Sequence, residues 1–333
     1  RPGRRGASLR NPGRAGAAPR EDGGMTVDVT VVGGGVSGLA CARAVREGGR
    51  SVRVLDRGRR VGGRLSSRTI DGRPVDLGAS YFVVGEAEGF GHVVADWRER
   101  ELARPWTDTF QVIDPDGGRT PKPGPMRWAA PLGLRSLALD LAEGLDVVSE
   151  RVVERVEPYR VDGEDAGEVV LAMPSPQAAR LTGDAPGGVQ EWEPVIAVVL
   201  RWDERRWDAD LHGAFAADDA DVSFVADDGD RRGDGAPVLV VHTTGDRARR
   251  HLDDPDAAIA PVLAATRRLL EISDDPVATH AHRWTFARPT ETTGQPFFRS
   301  PGLSACGDSW GESAAVRTAW TSGDALGRAL TAS

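Results

Sequence analysis

The stretch Val29-Thr30-Val31-Val32-Gly33-Gly34-Gly35-Val36-Ser37-Gly38 decides how the rest of this 333-residue chain is read. Its β-branched run, preceded by Val27, predicts a buried parallel strand. The glycines that follow satisfy G-x-G-x-x-G, and Leu39 to Arg46 predicts a helix ending at Gly48-Gly49. Ser51 to Leu55 predicts a second strand, with Asp56 at its C-terminal end. In such a turn Gly33 permits the tight bend, Gly35 lets the backbone approach a pyrophosphate, and Gly38 lets helix and strand pack closely. Val36 and Ser37 open the helix, whose N-terminus offers free N–H groups to phosphates. Asp56 lies 23 positions beyond Gly33, where an acid accepts hydrogen bonds from a ribose. Strand, glycines, helix and acid together predict a dinucleotide site, without separating NAD from FAD.

Two later segments separate them. Arg57-Gly58-Arg59-Arg60-Val61-Gly62-Gly63-Arg64 follows the ribose acid directly. Its Gly-Gly-Arg turn lets backbone pass close to an extended cofactor, and Arg64 can hydrogen-bond its phosphates. Near the other end stands Ala305-Cys306-Gly307-Asp308, before a segment rich in small residues: Ala314, Ala315, Ala319 and Gly323. There Gly307 exposes backbone and Asp308 can bind ribityl hydroxyls. The combination predicts FAD.

Composition narrows the class further. With 40% hydrophobic and 28% charged residues the chain is of ordinary globular type. A net charge of −8 argues against nucleic acid as a bulk partner. No apolar run reaches the ~20 residues of a membrane span. Only Cys41 and Cys306 are present, which fits a reducing compartment, and the cytoplasm is expected. Residues 1–24, rich in Arg, Gly, Pro and Ala, lack hydrophobic periodicity and are expected to be a disordered, dispensable extension before a start at Met25. No metal-ligand cluster is evident. Lys122 is the only lysine, and it sits in Thr120-Pro121-Lys122-Pro123-Gly124-Pro125, which predicts a loop.

Gly33–Gly38, Asp56, Gly62-Gly63-Arg64 and Gly307-Asp308 together resemble the flavin amine oxidase superfamily. Further stretches narrow the resemblance to its renalase-like branch. They are Asp76-Leu77-Gly78-Ala79-Ser80-Tyr81-Phe82, Met173-Pro174-Ser175-Pro176-Gln177 and Arg283-Trp284-Thr285-Phe286-Ala287-Arg288-Pro289. The resemblance implies an α/β fold: a Rossmann-type, doubly wound FAD-binding domain from residues 25–82, 141–190 and 276–333. A β-rich substrate domain would be interleaved from 83–140 and 191–275. Strands are expected near Val147-Val148, Val152-Val153, Trp192 to Trp202 and Pro237 to His242, with a helix from Ala257 to Ile272. Residues 114–131 and 217–235 are expected as loops.

The resemblance also implies that Arg57, Gly63, Ala79 and Ser80 border the cofactor, and that Val152 packs against its adenine. Val316-Arg317-Thr318-Ala319 corresponds to a helix start that the family directs at the flavin. Here Arg317 and Thr318 stand where the family has an acid and a glycine. Arg317 would either add positive charge beside the flavin or cap the surface. Cys306 lies away from the family's covalent-attachment position, so the FAD is expected to be noncovalent.

On the substrate side the candidates are Tyr81, His242, His282 and Trp284; Trp284 is equally readable as a core aromatic, and His242, ending an apolar strand, reads more readily as a hydrogen-bonded structural histidine. The absence of a plausible lysine near the flavin favours a renalase-like oxidase. It would take a hydride from a dihydronicotinamide isomer of NAD(P)H and pass electrons to dioxygen, giving hydrogen peroxide. An amine oxidase or desaturase acting on another small molecule is the alternative, and a catalytically silent FAD-binding module is a third.

Overall fold

A computed structural model describes residues 27–86 and 88–332; the segment 1–24 and the expected start at Met25 lie outside the described residues. Val29–Val32 sits inside a six-stranded sheet ordered 298–300, 303–305, 168–171, 29–32, 52–55, 146–148. All neighbours are parallel except the edge strand Phe298–Ser300. The period-2 alternation of the strand sorts its side chains between two layers. Val29 and Val31 pack with Cys41, Val45, Leu326 and Leu330 on the helical side. Val32 packs with Val156, Val161 and Ala178 on the other. Helices Val36–Glu47 and Val316–Thr331 thus cover one face. A small antiparallel sheet within 156–165 and helix Ser175–Thr182 cover the opposite one. This is the doubly wound α/β layer that the opening motif predicts.

The two covering helices meet through glycine. A Cβ at Gly323 would collide with the Ser37 carbonyl oxygen, and one at Gly327 would lie 2.5 Å from that of Cys41. The register rises together along both helices, so they run parallel. With Gly323 level with Ser37, Val316 projects about six residues, hence roughly 9 Å, past Val36 on the N-terminal side.

The second sheet has eight strands in the order 278–289, 192–201, 238–243, 222–227, 213–216, 104–113, 119–129, 82–83. Helix Ile259–Leu270 covers one face, where Val262, Ala265 and Leu269 pack on Ile196, Val198, Leu200 and Val241. The opposite face meets the segment that follows strand Arg73–Asp76: Val75 and Leu77 pack on Ala197, Val199, Val238 and Val240.

Several local expectations are corrected. Residues 114–131 are not a loop, because Arg119–Ala129 is a strand paired with Arg104–Ile113. Pro121, Pro123 and Pro125 fall at every second position, so their missing N–H groups lie on one strand edge, and only Arg127 and Trp128 pair with Phe82–Val83 on the far side. Residues 217–235 hold the strand Val222–Asp227 and the helix Asp228–Arg232. Their acidity marks buried ion pairs rather than a solvated loop. Asp227 pairs with Arg205, and Asp228 with Arg73 and Arg231. Val152-Val153 forms no strand, and the expected helix at 257–272 is a 3-10 turn, Pro255–Ala258, followed by Ile259–Leu270. Finally, Ala278–Pro289 falls in the segment 276–333 but pairs along its length with Trp192–Arg201, in the eight-stranded sheet.

Candidate active site

The glycine turn forms a groove of backbone. Gly33 has φ +116°, and a Cβ there would lie 2.5 Å from the Ala172 carbonyl oxygen. A Cβ at Gly38 would collide with the Gly33 carbonyl oxygen. Gly35 is different: its φ of −80° is ordinary, and a Cβ there would meet nothing within 4 Å. The open space beside Gly35 is bordered by Gly63, whose own Cβ would lie 3.3 Å from the Gly35 α-carbon. The Gly62 N–H donates to the Gly34 carbonyl at 2.8 Å, stitching the two glycine turns together. No side chain caps the helix that begins at Val36, so its first N–H groups face this space. Ser37 is buried under the turn. Backbone open to close approach, with unpaired donors at a helix N-terminus, suits a pyrophosphate.

Asp56 is engaged in building the groove. One carboxylate oxygen accepts the Gly34 N–H at 2.6 Å and the other accepts the Gly58 N–H at 2.7 Å. Each oxygen keeps a lone pair for a further donor. Arg57 is exposed beside it. The Arg151 N–H donates to the Asp56 backbone carbonyl at 2.9 Å, which brings the next residue, Val152, into the vicinity. Val152 is 58% exposed, an apolar side chain left without cover next to the acid.

Arg64 and Asp308, 244 residues apart, form a bidentate pair at 2.7 and 2.6 Å. The same guanidinium donates to the Ala287 carbonyl at 2.9 Å and lies 5.1 Å from the centre of the Trp192 ring. The pair ties the Gly63 turn to the Gly307 turn and to the second sheet. The Gly307 N–H donates to Ser322 Oγ at 3.1 Å, fixing that turn on the second helix. Cys41 and Cys306 are both buried and free. A hydrogen bond with Cys306, then burial, raises the Cys41 thiol well above its ordinary value. A thiol so held is a poor nucleophile.

The segment from Asp76 to Tyr81 runs between the sheets and is clamped at nearly every residue. Ser67, Arg231 and Arg232 engage the Asp76 carboxylate, as does the Leu134 N–H at 3.0 Å. The Leu77 carbonyl accepts the Trp284 Nε1–H at 2.8 Å, and the Ala79 N–H donates to the Arg64 carbonyl at 2.9 Å. The Ser80 carbonyl accepts from Arg231 at 2.6 Å, while Ser80 Oγ is buried with no partner among the described residues. Arg231 is 1% exposed, and burial lowers its guanidinium to about 10.

The start of the helix at Val316 stands near the edge strand Phe82–Val83. Its N-cap, Ala315, makes no side-chain cap. The Arg317 guanidinium packs against Gly85, where any side chain would collide with it. Arg317 is half-buried, and no described residue forms a hydrogen bond or ion pair with it.

Across the eight-stranded sheet His282, Ala197, His242, Phe224 and Phe215 face one another strand by strand. This transverse row lies on the side that meets the 76–81 segment. Tyr81 joins it through Phe224, ring centres 6.1 Å apart, and through Phe110 at 5.2 Å. His242 Nε2 is inaccessible and unpartnered among the described residues. Burial, then the charges of Arg231 and Arg288, lower His242 to about 4. Trp284 stands against His282 at 4.7 Å, and its N–H is spent on Leu77. The structure therefore groups Tyr81 and His242 on one wall and places Trp284 farther along it, holding the segment below.

Sequence reasoning missed Arg127, Phe110, Phe224 and Trp106, which complete this wall. It also placed Lys122 in a loop. The residue is in the strand Arg119–Ala129, its ammonium 5.0 Å from the centre of the Phe215 ring. The share of aromatic and cationic residues across 104–129 was the available signal, obscured by the prolines.

Residues 91–325 match the family described as Flavin containing amine oxidoreductase, and residues 31–97 match a NAD(P)-binding Rossmann-like domain. The chain belongs to the flavin containing amine oxidoreductase family, a family of FAD-dependent oxidoreductases. Carotenoid 3,4-desaturase of Haloarcula japonica is 40% identical over 57 residues, 17% of this chain and 12% of that protein. Putrescine oxidase of Kocuria rosea is 43% identical over 61 residues, 18% of this chain and 13% of that protein. The matched stretches thus span about an eighth of these relatives. The crystallised cyclohexylamine oxidase of Brevibacterium oxydans shares the fold, with a TM-score of 0.70 at 13% identity, over 92% of this chain and 99% of that one. Among the described residues no helix is long and apolar enough to cross a membrane, and no cluster of metal-ligating side chains occurs.

Proposed function

We propose that this chain is a renalase-like oxidase, acting on a small dihydronicotinamide isomer of NAD(P)H with dioxygen as acceptor and hydrogen peroxide as product. When bound, FAD supplies the two-electron acceptor chemistry. Gly33, Gly35 and Gly38, with the N–H groups of Val36 and Ser37, would hold its pyrophosphate, helped by Gly63 and Arg64. Asp56 would take the ribose, with Arg57 beside it, and Val152 would cover the adenine. Gly307 and Asp308 would meet the ribityl chain, and Ala79, Ser80, Val316 and Arg317 would border the ring. Both cysteines are buried between helix and sheet, which supports noncovalent binding. The cofactor-binding unit would draw on 25–82, 141–190 and the chain beyond about 290. The strand Ala278–Pro289 would join 83–140 and 191–275 in the substrate unit, given its pairing.

One observation carries the choice of donor: the aromatic wall offers little acid–base chemistry, because His242 Nε2 is inaccessible and Asp230 is already hydrogen-bonded. His242 is neutral down to about pH 4. Asp230 accepts from Trp106 Nε1 at 2.6 Å and contacts His212 Nδ1 at 2.7 Å. Lys122 stands over Phe215. A wall poor in accessible bases suits a donor whose C–H bond is already activated, for which binding geometry supplies most of the rate enhancement. The names of the relatives favour a second reading, an amine oxidase or desaturase acting on another small molecule. Anaerobic stopped-flow mixing separates the two. Rapid flavin bleaching by 2- or 6-dihydro-NAD(P), with NAD(P)+ as product, is expected. Bleaching by an amine panel alone would transfer the assignment to the second reading, and bleaching by neither would leave a silent FAD-binding module.

A further inference from the structure

Three arginines are buried among the described residues: Arg127, Arg231 and Arg232. Arg231 and Arg232 engage Asp76, and Arg231 also pairs with Asp228. Arg127 is the exception. It is 6% exposed, its Nη1 is inaccessible, and no hydrogen bond or ion pair joins its guanidinium to any described residue. A guanidinium carries five N–H donors in one plane. Leaving a charge buried and unpaired is costly. The group lies over rings rather than beside an acid: it is 3.9 Å from the centre of Phe110 and 5.8 Å from that of Tyr81. Stacking satisfies the face of the guanidinium, while its N–H donors, beside Gly124, find no acceptor among the described residues. Lys122 stands over Phe215 in the same aromatic cluster, and the acid of this wall, Asp230, is bonded to Trp106 and His212 rather than to either cation.

We propose that Arg127, walled by Tyr81 and Phe110, is an oxyanion-recognition site for the donor, one that selects a planar, negatively charged molecule and rejects a cationic amine. The N–H edge of Arg127 takes two oxygens of a carboxylate or phosphate in bidentate fashion. The neighbouring rings receive the flat part of the same molecule. The assignment rests on the donor approaching over this wall, as proposed above, and adds to it the group that orients the donor.

The test measures binding to the purified FAD-loaded enzyme, without turnover. Benzoate, benzamide and benzylammonium share one ring and differ in charge; calorimetry and perturbation of the flavin spectrum report their affinities. Benzoate is expected to bind at least tenfold more tightly than benzamide, with benzylammonium weakest. In Arg127→Met the benzoate affinity should fall by about 10- to 100-fold, the loss expected for a charge-assisted contact, while benzamide binding is unchanged. Arg127→Lys should recover part of the loss. FAD content and melting temperature verify that each variant is folded, and if Arg127→Met does not fold, the wild-type charge series and Arg127→Lys decide. Within a positive result, displacement of benzoate by inorganic phosphate assigns the site to phosphate-bearing donors, and failure to displace it assigns carboxylates. Equal binding of benzoate and benzamide to the wild type, or undiminished benzoate binding in folded Arg127→Met, would overturn the site. Because no donor is oxidised in this assay, its outcome is separate from that of the dihydronicotinamide experiment.

Discussion

Gly35→Val should abolish FAD binding and leave the fold intact, and the contrast with Gly38→Ala makes the expectation sharp. At Gly35 the backbone is in an ordinary extended conformation and a Cβ meets nothing within 4 Å. Replacing an N-cap glycine by a non-capping residue costs up to about 1 kcal/mol. The reduced freedom of the unfolded chain returns about 0.4–1 kcal/mol. The melting temperature of the apoprotein should therefore stay within a few degrees of wild type. The valine methyls, however, would fill the space bordered by Gly63 and the uncapped helix N-terminus. Losing two hydrogen bonds to a charged phosphate costs about 3–6 kcal/mol at 1.5–3 kcal/mol each, which is at least about 100-fold in Kd. At Gly38 the added methyl collides with the Gly33 carbonyl oxygen, in a turn already pressed on Ala172. There the fold itself should fail, at a cost of several kcal/mol. Differential scanning fluorimetry of the apoproteins and titration with FAD followed by flavin fluorescence read the two effects separately. Wild-type FAD affinity in Gly35→Val would show that the phosphates lie elsewhere. A Gly35→Val protein as unstable as Gly38→Ala would show that the groove is not open.

Two further outcomes are expected. Asp56→Ala should weaken FAD binding and lower the melting temperature together, because the Gly34 and Gly58 N–H groups lose their acceptor; the cost is about 1.5–3 kcal/mol, and an unchanged FAD affinity in a folded variant would contradict the ribose assignment. His242 is depressed from 6.5 in the unfolded chain to about 4 in the fold, so the unfolded state binds its proton first, and the associated stability is present above pH 6.5 and lost as pH falls toward 4. His242→Gln should flatten the stability profile across that window, and urea denaturation at pH 7 and pH 5 would expose an unchanged slope.

The first sheet was legible because its determinants are local. One β-branched run, the four glycines of the turn and the acid Asp56 lie within 28 residues, from Val29 to Asp56, and each constrains backbone that the next residue must continue. The second sheet was harder to read for two physical reasons. Prolines normally mark loops, yet at alternate positions on a strand edge they remove no hydrogen bond from the paired side. Acidic runs normally mark solvent, yet Asp227 and Asp228 are 1% and 0% exposed because arginines from distant segments neutralise them. Arg73 lies 155 residues from Asp228, a distance across which no local pattern signals a partner. The wall of the candidate site inherits that difficulty: Tyr81 and His242 stood out by type, whereas Arg127 acquires its meaning only from the missing acid beside it.

The two halves of the proposed FAD site are set by glycines almost 300 residues apart in sequence. Gly38 lets the first helix seat against the first strand, and Gly323 and Gly327 let the last helix seat against the first. Backbone contacts of this kind leave no side chain to yield, so the roughly 9 Å stagger between the two helix starts is a rigid property of packing rather than of the intervening loops. One uncapped N-terminus then faces the Gly35 groove while the other, at Val316, is carried forward to the edge of the second sheet. A cofactor with anionic phosphates at one end and a ring that gains negative charge at the other would meet a positive helix end at each. The Arg64–Asp308 pair spans the interval, joining the turn after the second strand to the turn before the last helix. The aromatic wall begins at Tyr81, beside that edge strand, so a donor bound there would be placed by the same close packing that would place the phosphates.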